Sequence, residues 1–352
     1  MRKVLQAKVP SDRASDIIPR LFSSGIADPG ARITGGQGFR LVPIKEGRLA
    51  DAESMGLEIL SGDAYSEASR PPMERIREAL SDLPAYDLAR LPEKWERAGS
   101  AVTIKLGPSL FQYGERIGKA YAEALGAGSV LADVSGVSGE FRLPDMRLLY
   151  GEGGESVKTE NGIRYSYDVT KVMFASGNLE ERRRMERLDC AGETVVDMFC
   201  GIGYFTLPIA RFAGARCVLA CEKNPDSYRF LLENIKLNGV EGTVIPMLGD
   251  NRAIPGAHFA DRILMGYVQT TSEFLPKAKE LAKPGCIIHY HDTFPVGSQE
   301  ERVRRIFSEV FGEDGYEVLG IREVKSFAPS VSHYVADVRV RRSARLRPSR
   351  RS

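Results

Sequence analysis

The sequence predicts an α/β fold whose largest part is a Rossmann-like, doubly wound sheet, and three observations predict it. The run Val195-Val196-Asp197-Met198-Phe199-Cys200-Gly201-Ile202-Gly203-Tyr204-Phe205-Thr206 reads as a buried strand, a turn with two glycines and the opening of a helix. A second apolar stretch, residues 216–222, ends in Glu222 about 25 residues beyond Asp197, and a third, residues 243–248, delivers Gly249-Asp250-Asn251. Strands then go on alternating with helices, which requires a mostly parallel sheet covered by helices.

Taken from the N-terminus, residues 1–60 read as a small α/β unit. Residues 4–9 alternate loosely, residues 11–23 form a helix capped at Ser11, and residues 39–44 are strand-like. Residues 61–93 are largely polar, contain Pro71-Pro72 and read as a linker. Residues 94–179 form an α+β unit. Its elements are a strand at 101–106, a helix at 110–125, strands at 130–134 and 146–150, and a hairpin around 156–168 that turns at Asn161-Gly162.

The third unit, residues 180–340, opens on a helix carrying Arg182-Arg183-Arg184. After the glycine turn, Asn224-Pro225-Asp226-Ser227 caps a helix at 228–238 with an apolar stripe of Phe230, Leu231, Ile235 and Leu237. Strands at 261–265 and 286–291 and helices at 273–281 and 300–311 follow, and strands at 316–324 and 334–340 close the sheet as an antiparallel pair. Residues 341–352 form a tail of six arginines with no acid.

In such a sheet a ligand is expected where strands end and a helix begins, because glycines let the backbone approach it closely. The pattern Asp-x-Phe-x-Gly-x-Gly lacks the third glycine of a dinucleotide fingerprint. That weakens NAD or FAD and favours S-adenosylmethionine, which has no pyrophosphate. Asp197, Phe199, Gly201 and Gly203 belong to this turn, Glu222 is placed to accept from ribose hydroxyls, and Lys223 follows it. Asp250 can accept from an adenine amino group, and Asn251 can both donate and accept.

Composition narrows the function classes. The net charge of +2 hides an asymmetry, since the arginine tail leaves the rest of the chain net acidic. Those arginines could contact phosphates, or could form no more than a frayed, solubilising end. Five scattered cysteines without a Cys-x-x-Cys pair suggest neither zinc nor a disulfide framework, and a reducing, cytoplasmic setting is expected. The first residues form no signal segment, and no apolar run approaches the length that spans a bilayer.

Longer motifs carry a resemblance. They are Gly139-Glu140-Phe141-Arg142-Leu143-Pro144, Asp168-Val169-Thr170-Lys171-Val172-Met173-Phe174, the glycine turn, Glu222-Lys223-Asn224-Pro225, Ile288-His289-Tyr290 and Val324-Lys325-Ser326-Phe327-Ala328-Pro329. Together they resemble the superfamily that acts on guanine-37 derivatives beside the tRNA anticodon. Its methyltransferase branch carries Asn-Leu-Pro after the fourth strand, where this chain has Met265-Gly266-Tyr267-Val268. That departure, with Phe174-Ala175-Ser176-Gly177-Asn178 and His289-Tyr290-His291-Asp292-Thr293, resembles the archaeal aminocarboxypropyltransferases of wybutosine synthesis on tRNA(Phe).

The resemblance implies a class I S-adenosylmethionine-dependent fold, S-adenosylmethionine as co-substrate without a metal, and tRNA(Phe) as partner with no obligate protein partner. The implied reaction moves the 3-amino-3-carboxypropyl group to C7 of 4-demethylwyosine at position 37 and releases methylthioadenosine. Gly266 makes room for a reoriented methionine arm, and Tyr267 offers a face to a tricyclic base. Ser176 with Arg182 or Arg183 are candidates for the arm's carboxylate. His289 and His291, two apart on a strand, share a face, and a hydrogen-bonding role in or near the pocket is expected of them. Cys200 reads as a small filler of the turn. The alternatives are a tRNA guanine-37 N1-methyltransferase and a non-catalytic tRNA-binding protein.

Overall fold

The computed structural model describes residues 2–36, 38–64, 71–139, 141–174 and 176–341. The chain divides into two compact units, Met1–Ala89 and Arg90–Ser352. In the first, strands β1 (Arg2–Pro10), β2 (Thr34–Gly36), β3 (Phe39–Pro43) and β4 (Glu58–Ala64) form an antiparallel sheet in the order β2-β3-β1-β4. Helices α1 (Ala14–Ser23) and α2 (Leu49–Ser54) pack on it. Alternation places Ala7 and Val9 in the core, while Lys8 between them pairs with Glu58 at 2.7 Å. Ile17 and Leu21, four apart on α1, meet them.

The expected linker is partly helical, since α3 (Pro72–Ala79) and α4 (Ala85–Leu88) lie inside it. Pro71-Pro72 signals a break only when the helix that Pro72 starts is overlooked. A proline in the first turn has no amide bond to lose, and Ile76 anchors α3 by complete burial.

The second unit begins with β5 (Trp95–Ala98), β6 (Ala101–Ile104), β7 (Ser129–Ser138) and β8 (Leu143–Tyr150), a sheet in that order. A 3-10 turn, Pro108–Tyr113, leads into α5 (Gly114–Leu125). A Cβ on Gly118 would sit 2.8 Å from Leu149 Cβ, so glycine lets α5 lie close on β8. The hairpin β9 (Glu155–Glu160) and β10 (Ile163–Asp168) turns at Asn161-Gly162, both at positive φ, as a two-residue turn of matching twist demands.

The large sheet follows. Its elements are α6 (Leu179–Glu186), β11 (Thr194–Asp197), α7 (Thr206–Phe212), β12 (Cys217–Glu222), α8 (Pro225–Asn238), β13 (Val244–Leu248) and β14 (Ala260–Met265), then α9 (Leu275–Leu281), β15 (Ala282–Pro295), α10 (Gln299–Phe311), β16 (Tyr316–Ala328) and β17 (Val331–Val340). The strand order is β13-β12-β11-β14-β15-β17-β16, parallel through β15 and antiparallel for the last two. This is the expected class I sheet, with its switch point between β11 and β14.

The middle and C-terminal segments, expected as separate units, form one body. Asn234 and Asn238 of α8 hydrogen-bond the free edge of β10. The Ser166 amide donates to Asn234 Oδ1 at 2.6 Å, and the Arg164 amide to Asn238 Oδ1 at 2.9 Å. Their side-chain amides donate back to the carbonyls of Ser166 (3.1 Å) and Arg164 (2.7 Å). One core also runs through both segments, from Ala98 and Leu131 through Tyr165 to Val195 and Phe205. No helix among the described residues is long and apolar enough to cross a membrane.

Candidate active site

The carboxyl ends of β11, β12, β13 and β14 open onto a cavity of about 360 Å³, within the range of small-molecule sites. At its floor lies the glycine turn. Asp197 is fully buried, accepting from the Thr206 hydroxyl at 2.8 Å and the Phe199 amide at 3.3 Å, and burial pushes its carboxyl up to about 7. Asp197 does not line the cavity but ties the turn to the helix after it. Gly201, at φ 57°, does line it; a Cβ there would sit 2.6 Å from the Tyr204 ring. Gly203, at φ 100°, lies behind the turn, where a side chain would strike Leu207.

From the end of β12, Glu222 lines the cavity. One carboxylate oxygen accepts from the Gly201 amide at 2.8 Å and the other from the Asn224 amide at 2.7 Å. Burial raises its pKa against the pull of those amides. Each oxygen keeps a lone pair, so the group can accept two further hydrogen bonds, as a vicinal diol offers. Asp250, beyond β13, receives Arg252 at 2.6 and 2.8 Å and Lys223 at 3.4 Å, and the Arg252 bonds hold its carboxyl far below the usual range. Asn251 donates to the Met198 carbonyl at 2.9 Å, while its Oδ1 is buried without a hydrogen-bond partner.

Aromatic rings make one wall. Phe199 stacks on Tyr267 at 5.1 Å and 13°, and Phe274 meets Phe199 edge-on at 4.9 Å. Beside them a Cβ on Gly266 would come within 2.9 Å of Phe205 Cε2. A basic corner closes the other side. Arg182 is buried, paired with Glu160 and 4.8 Å from the Phe174 ring centre. Lys325 has its pKa lowered by burial, then by Arg142 and Arg182. Arg142 Nε and Asn178 Oδ1 are buried without hydrogen-bond partners. A molecule with a ribose diol, a flat base and a carboxylate matches these walls, so the residues present fit S-adenosylmethionine.

Of the residues expected at the site, Phe199, Gly201, Glu222, Lys223, Asp250, Asn251, Gly266, Tyr267 and Arg182 meet on the cavity wall. Arg183 instead turns outward to Glu180 (2.7 Å) and Asn161 (3.3 Å), so Arg182 is the inward arginine. Ser176 begins the 3-10 turn Ser176–Asn178, but its side chain lies outside the described residues. His289 lies off the cavity. It stands beside Leu264, inside the sheet rather than past the end of β14, and its ring meets Asp337 at 2.6 Å and Arg262 at 2.9 Å.

Sequence reasoning passed over Arg142, Asn178, Lys325 and His333, all on the cavity wall. The first three sit inside motifs that mark the resemblance, and that was their available signal. His333 had none. A second cleft, of about 1020 Å³, shares Arg142, Val172, Met173 and Lys325 with the first and adds Trp95, Tyr167, Phe174, Lys94, Arg97 and Lys105. Among the described residues no three His, Cys, Asp or Glu side chains converge as a metal site needs.

Comparison with known proteins gives this geometry a lineage. The chain matches the TRM5/TYW2 methyltransferase domain over residues 156–319 and the TYW2 N-terminal domain over residues 76–154. A tRNA(Phe) (4-demethylwyosine(37)-C(7)) aminocarboxypropyltransferase of Pyrococcus horikoshii is 46% identical over 272 residues, which is 76% of this chain and 97% of that one. The chain belongs to the TRM5/TYW2 family. The crystal structure of P. horikoshii TYW2 in complex with MeSAdo is similar at a TM-score of 0.69 and 44% identity, covering 77% of this chain and all of that one. The tRNA (guanine(37)-N(1))-methyltransferase Trm5b of Pyrococcus abyssi is 32% identical over 342 residues, 96% of this chain and 99% of its own. The Trm5b match thus takes in nearly the whole chain, and the aminocarboxypropyltransferase match about three quarters of it.

Proposed function

We infer that this chain transfers the 3-amino-3-carboxypropyl group of S-adenosylmethionine to C7 of 4-demethylwyosine at position 37 of tRNA(Phe). The observation that carries the reading is the rim after β14. There the chain carries Met265-Gly266-Tyr267-Val268 in place of the Asn-Leu-Pro of the methylating branch it resembles, with no room for a side chain at Gly266, and it is 46% identical to an enzyme named for this reaction along nearly that enzyme's whole length.

The sulfonium activates both its methyl group and the γ-carbon of the methionine arm, and only position selects between them. Holding the γ-carbon in line with the acceptor makes that carbon the near-attack centre. In this reading Glu222 holds the ribose, and Asn251 with the Phe199 wall receives the adenine. The basic corner of Arg142, Arg182 and Lys325 takes the arm's carboxylate. Arg182 suits this because Glu160 fixes its plane, while Arg142 Nε has a hydrogen still to donate. The acceptor base enters through the second cleft, whose Trp95, Tyr167 and Phe174 offer rings and whose Lys94, Arg97 and Lys105 offer charge to flanking phosphates.

The ring carbon forms a bond to the γ-carbon while the carbon–sulfur bond breaks, and its electron pair leaves on sulfur as methylthioadenosine. The nucleoside held by the P. horikoshii relative, MeSAdo, is that by-product. The test supplies precursor tRNA and S-adenosylmethionine and identifies the nucleoside released. Methylthioadenosine is expected; S-adenosylhomocysteine would assign the chain to the methylating branch instead.

A further inference from the structure

We propose that His333 is the base that takes the proton from the acceptor carbon once the new carbon–carbon bond has formed, with His291 and Glu181 as positioning residues that fix its tautomer. The inference rests on the reaction read above. His333 stands on β17 opposite Lys325 and lines the same cavity as Gly266 and Tyr267. Its Nε2 lies 3.0 Å from His291 Nδ1, leaving Nδ1 as the ring nitrogen for a group in the cavity. His291 is buried, and its ring stacks at 5.4 Å on Phe205, the ring that fills the space behind Gly266.

On its far side His291 Nε2 has no hydrogen-bond partner and lies 3.7 Å from Glu181 Oε1. Arg184 grips that carboxyl group through Nε, 3.0 Å from each oxygen, which fixes it in place and leaves its oxygens as acceptors facing His291. A carboxylate and two imidazoles therefore run in line from the interior to the cavity. With Glu181 attracting the His291 Nε2 hydrogen, His291 Nδ1 is the acceptor. His333 then donates from Nε2 and carries its lone pair on Nδ1.

The surroundings keep that lone pair free. Burial, then Lys325 and Arg142, push the His333 pKa down to about 4. A base that weak cannot deprotonate an aromatic ring, and here it need not. Attack by the ring's π electrons on the γ-carbon leaves a cationic ring whose tetrahedral carbon is strongly acidic. Its carbon–hydrogen pair returns to the ring, the proton passes to His333 Nδ1, and aromaticity is restored. No oxidant or further reactant enters.

The experiment uses the full chain, S-adenosylmethionine, and precursor tRNA carrying hydrogen or deuterium at the acceptor carbon. The native enzyme is expected to show an isotope effect near unity, because bond formation limits the rate. H333N is expected to lose on the order of 10²-fold in rate, to keep its S-adenosylmethionine affinity, and to acquire a primary isotope effect. Added imidazole is expected to restore part of the rate of H333A. H291N, which leaves His333 in place, is expected to gain the same isotope effect with a smaller loss. H333N at full rate, or slow without an isotope effect while H333A ignores imidazole, overturns the assignment. Release of S-adenosylhomocysteine by the native enzyme would instead overturn the reaction on which it rests.

Discussion

Asp197 sits beneath the glycine turn, not in the cavity, and its titration follows from that place. Its folded pKa of about 7 lies above the ordinary carboxylate value of about 3.9. Its contribution to stability is therefore present in full below that ordinary value and is lost as pH rises toward 7 and through it. D197N cannot ionise, and asparagine Oδ1 can still accept the Phe199 amide. Between pH 5 and pH 8 the thermal midpoint of D197N is expected to fall less than that of the native chain; parallel curves would remove Asp197 as the source. The buried histidines, whose pKa values are lowered, stabilise in the opposite sense, but they are common to both proteins and cancel. Gly266 allows a second residue-scale test. The Phe205 ring that a new Cβ would strike is backed by His291 and has little room to retreat. G266A is expected to lower kcat roughly tenfold, a loss of about 1.4 kcal/mol in transition-state stabilisation, with S-adenosylmethionine affinity changed far less. Equal losses in both would show that the glycine serves binding alone.

At the scale of elements, what the sequence makes legible is what a strand end states locally. Gly201, Glu222, Asp250 and Asn251 each follow an apolar run, and the parallel sheet brings those ends together without further instruction. His333 and Lys325 reach the cavity through the register of β16 on β17, a pairing that no local pattern encodes. Arg142 gets there from a loop backbone at φ 51°, rare for a residue with a side chain. His289 was misplaced because period-two alternation reveals a shared face but not depth along it; His291, past the last residue of β14, is the one near the rim. The asparagine staple was hidden for a similar reason, since Asn234 and Asn238 read as ordinary polar positions on a helix. Either asparagine changed to leucine leaves two strand groups unpaired. Each change is expected to cost about 1–3 kcal/mol in denaturant unfolding and to speed amide exchange at Ser166 or Arg164. Exchange unchanged at those amides would show that the staple carries no load.

For the molecule as a whole, the sequence shows an arginine tail on an otherwise acidic chain, and Arg342 to Ser352 lie outside the described residues. The strand before the tail, β17, is the one that carries His333. The second cleft is lined by Lys94, Arg97, Lys105 and Lys158, which lie on or beside β5, β6 and β9. Charge that meets RNA phosphate is thus expected from two sources, one built into the fold and one appended to it. They separate by salt, because each phosphate contact made by a cation adds to the slope of log affinity against log salt concentration. A chain ending at Val340 is expected to keep its S-adenosylmethionine affinity, which depends on residues elsewhere, and to bind tRNA more weakly with a shallower slope. K94A with K105A is expected to reduce the slope by about one to two in either background. If the shortened chain shows the native slope, the tail contacts no phosphate and the cleft carries the electrostatics; if the double variant shows it instead, tRNA does not pass over that cleft and the acceptor must enter from another side.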